Sequence, residues 1–93
     1  MQLKSGMTFL EVEEAVKALR SAGAPQLVVG TTVYYWNQMN EHGLFAKCQV
    51  VDTHLPVLRT VKILEIYYQD GPKGSIHEDS LLNANPSTEL FIE

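Results

Sequence analysis

Apolar residues recur at intervals of three and four along the first quarter of the chain, and at intervals of two from Gln26 onward. The first pattern belongs to a helix and the second to strands. In "MTFLEVEEAVKALRSAGAP", Thr8 followed by Glu11 forms an S/T-x-x-E capping box. Met7 and Val12 flank the cap as a hydrophobic staple. Phe9, Val12, Val16 and Leu19 then make one stripe, widened by Leu10 and Ala15. Glu13 and Lys17 are an i,i+4 pair in the favourable order. Gly23 suits a left-handed stop, and Pro25 prevents continuation. The pattern predicts an amphipathic helix over about residues 8–22, and its stripe must dock on something.

The strand region is predicted over residues 26–93. "QLVV" leads into "GTTVYYW", either as one bent strand or as two, with Gly30 as the bend. "NQMNEHG" is a polar turn. "LFAKCQVVDT" alternates cleanly, with Leu44, Ala46, Cys48 and Val50 on one face. Pro56 in "HLPV" breaks it. "RTVKILEIYY" slips parity between Ile63 and Leu64, so that Val61 and Ile63 share one face and Leu64, Ile66 and Tyr68 the other. A bulge or strong coiling is predicted there. "QDGPKG" reads as a loop, "SIHEDSLLN" as a short strand entering a tight turn, "ANPS" as another turn and "TELFIE" as the last strand. One stretch refuses to alternate. In "GTTVYYWN" both faces of the strand are apolar, so each needs a cover: the barrel interior on one side, and the helix or a second subunit on the other. No linker divides the chain, and residues 1–93 read as a single α+β domain.

Composition narrows the partners. With 93 residues, 45% of them hydrophobic, the chain is long enough for one small core. A net charge of −4, with seven basic residues scattered singly, argues against nucleic acid and anionic membrane. No basic, then apolar, leader opens the sequence, and no apolar run approaches the ~20 residues that span a bilayer. A cytoplasmic location is the expectation. The single cysteine, Cys48, excludes an internal disulfide, and its alternation places it inward as a small hydrophobe.

From Gly30 onward the order of strands resembles an SH3-like barrel, and within that class a Tudor-type module. The residues that carry this are "GTTVYYW", "FAKCQVV", "VKILEIYYQDG" and "SIHEDSLL", with "ELFIE", through Ile92, as the closing strand. The resemblance implies a five-stranded antiparallel barrel, or a strongly bent sheet, with the N-terminal helix packed on it as an addition. It also implies an aromatic cage for a methylated or otherwise cationic side chain. The matching positions are Tyr35, Trp36, Phe45, Tyr67, Tyr68 and Asp70, ring faces and a carboxylate being what holds such a cation. The loop after the third strand, "QDGPKG", carries no aromatic, where such cages usually have one.

Three functions follow from these residues. The first is a non-catalytic interaction or assembly module, homodimeric or bound to another protein, with Tyr34, Trp36, Ile63, Ile66 and Tyr68 at the interface. The second is a module that binds a cationic small molecule or modified side chain at the cage positions. The third is a small enzyme using His54 and His77 with nearby acids, although neither histidine has metal-ligand or catalytic spacing. No catalytic residue, metal site or cofactor is assigned. "DGPKGS" departs from the phosphate-loop pattern because its Lys precedes the second Gly.

Overall fold

The computed structural model describes residues 3–21, 27–39, 42–54, 57–70 and 76–92. Gly23, Pro25, Gln26, Pro56, the tip of the "NQMNEHG" turn and the "GPKGS" part of the loop after Asp70 lie outside them.

Helix α1 spans Phe9–Arg20 and starts at the expected capping box. The Glu11 amide donates to Thr8 Oγ1 at 3.2 Å, and the Thr8 amide donates to Glu11 Oε1 at 3.0 Å. Val12, Ala15, Val16 and Leu19 are buried. Leu10 does not widen the stripe as expected; it is 66% exposed. Just before the helix, the amides of Gly6 and Met7 both donate to the Tyr67 carbonyl at 3.1 Å. Ser5 Oγ donates to Glu65 Oε2 and to the Ile66 carbonyl. The approach to α1 is thus pinned along the strand that carries those residues.

Five strands follow: β1 (Thr32–Met39), β2 (His42–Asp52), β3 (Arg59–Asp70), β4 (Leu81–Ala84) and β5 (Leu90–Phe91). They form one antiparallel sheet in the order β4-β3-β2-β1-β5. The sheet is not closed into a barrel: among the described residues, the outer strands β4 and β5 share no ladder. One helix and a five-stranded antiparallel sheet are found as expected, and the sheet is open.

Bulges shape it. The β2–β3 register is irregular at three places. Lys47 faces Glu65 while Cys48 faces Ile63, which leaves Leu64 as an extra residue where the parity slip is expected. A second irregularity pairs Phe45 with Tyr68 and Ala46 with Ile66, leaving Tyr67 extra. This corrects the expected faces. Ile66 does not stay with Leu64 and Tyr68 but returns to the side of Val61 and Ile63. Tyr67 and Tyr68, though adjacent, both turn toward the helix.

The two faces carry separate cores. Tyr34, Trp36, Phe45, Tyr67 and Phe91 pack with Met7 and the buried stripe of α1. Val33, Tyr35, Leu44, Ala46, Cys48, Val50, Val61, Ile63, Ala84 and Leu90 form the opposite core, joined by Leu27, Ile76, Leu82 and Ile92. The non-alternating "VYYW" stretch is therefore covered on one side by α1 and on the other by the chain's own flanking segments.

Two further elements differ from expectation. Of "QLVV", the described residues Leu27, Val28 and Val29 do not run as strand up to Gly30. Val28–Thr31 is a turn, closed by the Thr31 amide donating to the Val28 carbonyl at 3.1 Å, and Gly30 takes φ +97°, where glycine is at ease. Of "SIHEDS", the described residues 76–80 form a turn rather than a strand. The Ser80 amide donates to the His77 carbonyl, the Asp79 amide donates to Ile63 at 2.8 Å, and Asp79 sits at φ 67°. Aspartate tolerates that left-handed region better than most side chains. The strand begins only at Leu81. Among the described residues, no helix is long and apolar enough to cross a membrane.

Candidate functional site

The aromatic residues proposed as a cage do not converge on one point. Tyr35 belongs to the core opposite α1, whereas Trp36, Phe45, Tyr67 and Tyr68 lie on the helix side. Alternation in β1 makes this unavoidable, since neighbouring residues of a strand face opposite ways. On the helix side the rings occupy one another. Trp36 meets Phe45 edge-on at 6.3 Å and Tyr68 at 6.4 Å, and Phe9 lies 6.1 Å from Trp36 and 5.9 Å from Tyr68. Phe45 is 5.7 Å from Tyr67, which stacks with Tyr34 at 6.4 Å. Asp70 is exposed and accepts from the Tyr68 hydroxyl at 3.4 Å. Of the residues expected at an interface, Tyr34, Trp36 and Ile63 are buried within this one chain, and Ile66 and Tyr68 are half-buried.

Gly43 explains how Trp36 lies so close to the sheet. A Cβ there would stand 3.1 Å from Cη2 and 3.2 Å from Cζ3 of Trp36, and 3.5 Å from Cε1 of Tyr68. The missing side chain leaves the gap that the rings fill.

A polar site that the hydrophobic pattern does not announce is built around Glu89, beside β1. Glu89, in the turn before β5, accepts hydrogen bonds from three donors. The Tyr35 hydroxyl reaches Oε2 at 3.3 Å, Asn37 Nδ2 donates to the same oxygen, and the Asn85 amide donates to Oε1 at 2.8 Å. The Trp36 amide donates to the Glu89 carbonyl at 3.0 Å, so both main chain and side chain of Glu89 are fastened to β1. Asn85 starts the turn, its Oδ1 accepting from the amide and hydroxyl of Ser87. Burial, reinforced by the Glu89 charge, pushes the Tyr35 phenol up to about 12. Beside this carboxylate opens a cleft of about 390 Å³, lined by Arg20, Trp36, Asn37, Thr88 and Glu89. The Asn-Pro turn signal in "NANPSTE" was the available clue in sequence; that its glutamate would reach β1 was not.

The histidines stand apart from this cleft. His54 Nδ1 is 2.6 Å from Asp52 Oδ2, and the His54 amide donates to Asp52 Oδ1, an exposed local turn following β2. Those bonds, the side-chain one first, hold the Asp52 carboxyl below its ordinary range. His77 is exposed on the turn before β4, its amide donating to Ser80 Oγ. Among the described residues, no three of His, Cys, Asp and Glu come together as metal ligands. Cys48 is fully buried, and burial pushes its thiol up to about 12, far from the thiolate form that a nucleophile needs. Compared with family models, with curated proteins and with solved structures, the chain has no match.

Proposed function

We propose that this chain is a small non-catalytic interaction module, with a second copy of itself as the first partner to test. The observation that carries the reading is the exposure of three valines, Val28 at 65%, Val29 at 61% and Val57 at 68%. Topology gathers them toward one end of the sheet. The Val28–Thr31 turn is fastened to β2, where the Gly30 amide donates to Val50 at 2.8 Å and the Val50 amide donates to Thr31 at 2.9 Å. Val57 lies two residues ahead of β3, whose first residues pair beside that same end of β2. Covering one such side chain is worth about 1.5 kcal/mol or more, and grouped exposed apolar residues mark contact surfaces. The contact is placed here because the aromatic rows already cover one another.

The SH3-like reading belongs to this proposal. The meander β1-β2-β3-β4 with β5 laid beside β1 supports it, with the sheet left open. The cationic-cage reading has less support, because Tyr35 and Trp36 are on opposite faces. The enzyme reading has less still, because His54 and His77 sit on separate exposed turns. The test is sedimentation equilibrium over a wide concentration range. Wild type is expected to dimerise, and the double variant Val29→Asp, Val57→Asp to remain monomeric with unchanged helix and sheet content. A monomeric wild type throughout, or a variant that dimerises equally, overturns the proposal.

A further inference from the structure

We infer that the cleft between the end of α1 and the turn before β5 binds a small zwitterion, an α-amino acid with free ammonium and carboxylate groups. Its volume, about 390 Å³, is in the range of small-molecule sites. What selects the ligand is charge. Arg20 brings a guanidinium that stays ionised at any physiological pH. Its Cζ lies 5.8 Å from the centre of the Phe91 ring, and among the described residues it makes no ion pair. Glu89 brings a carboxylate to the same cleft, and Arg20 does not reach it.

These two charges treat ligands differently. An anion drawn to Arg20 meets the repulsion of Glu89, and a cation drawn to Glu89 meets that of Arg20. A molecule bearing both signs a few bonds apart satisfies both. The Glu89 end is preorganised, because the Tyr35 hydroxyl, Asn37 Nδ2 and the Asn85 amide fix its carboxylate before any ligand arrives. With Asn37 Nδ2 committed to Glu89, its Oδ1 remains as an acceptor for ammonium protons, and the Thr88 hydroxyl adds a second. Trp36, its ring packed against Phe9, Phe45 and Tyr68, borders the cleft as well. Arg20, exposed on the last turn of α1, can swing to meet the ligand carboxylate.

Trp36 is the only tryptophan and lines the cleft, so its emission reports occupancy. The experiment titrates the full chain with L-leucine and L-phenylalanine, and in parallel with N-acetyl-leucine, which lacks the cation, and leucinamide, which lacks the anion. Calorimetry accompanies the fluorescence. Saturable binding of the free amino acids is expected, with both blocked forms at least about tenfold weaker, as loss of one charged hydrogen-bonding group implies. In Arg20→Gln, with its fold checked by circular dichroism because Arg20 lies over the Phe91 ring, leucine should lose its advantage over leucinamide. No saturable response to free amino acids, equal binding of a blocked form, or an Arg20→Gln protein that still prefers leucine to leucinamide overturns the inference.

Discussion

Raising the pH above 9 should destabilise this protein, through one buried thiol first and a buried tyrosine after it. Cys48 stands in the middle of β2, opposite Val33 and Ile63, and is fully buried. Among the described residues its polar contact is a weak one, Sγ to the Ala46 carbonyl at 3.9 Å. Nothing there stabilises a thiolate, and burial pushes the thiol from 9.0 up to about 12. The thiol is an acid whose folded value lies above its unfolded one, so the fold favours the neutral form. That stability is complete below pH 9 and is lost progressively as the pH rises toward about 12. Each pH unit across the window removes about 1.4 kcal/mol, or roughly 4 kcal/mol over the whole of it. Small domains have only about 5–15 kcal/mol in total. Tyr35, raised from 10.0 to about 12, adds a second loss that begins a unit later. The assay is urea unfolding followed by Trp36 fluorescence at closely spaced pH values from 8 to 11. Cys48→Ala should lower stability at pH 8 by about 1 kcal/mol through the small cavity. Its decline between pH 9 and 10 should be much shallower than that of wild type. Equal slopes in the two proteins would refute the reasoning, as would rapid reaction of the native thiol with an alkylating reagent at pH 8.

Two other perturbations test the packing. Leu19→Ala, at a buried position of the α1 stripe, should cost about 3–4 kcal/mol in urea unfolding, and Thr8→Ala about 1 kcal/mol by loss of the cap; unchanged stability in both would mean that the helix does not dock. Gly43→Ala should destabilise by about 1–2 kcal/mol, because the new Cβ meets a Trp36 ring held by Phe9 and Phe45. The near-ultraviolet dichroism of Trp36 should change with it, and a more stable variant would show that the ring can give way.

Elements whose causes are local are legible in the order of residues alone. The start of α1 is written in Thr8 and Glu11, because a capping box closes within four residues. The bulge at Leu64 is equally readable, because a parity slip in an apolar pattern has no other economical explanation in a strand. Tertiary structure alone decided which cover each face of β1 received. Period two separates Tyr35 from Trp36, yet says nothing of whether a helix, a flanking segment or a partner lies over either one. It also decided the second bulge at Tyr67, which adjacent tyrosines do not announce because either parity leaves one of them on an apolar face. The true position of β4 depended on a hydrogen bond from Asp79 to Ile63 on another strand. Glu89 shows the same limit most clearly. Its three donors come from β1 and from the start of its own turn, and the distant ones were brought within reach only by laying β5 beside β1. Local pattern fixes which residues can be buried, but the pairing of strands far apart in sequence fixes what they are buried against.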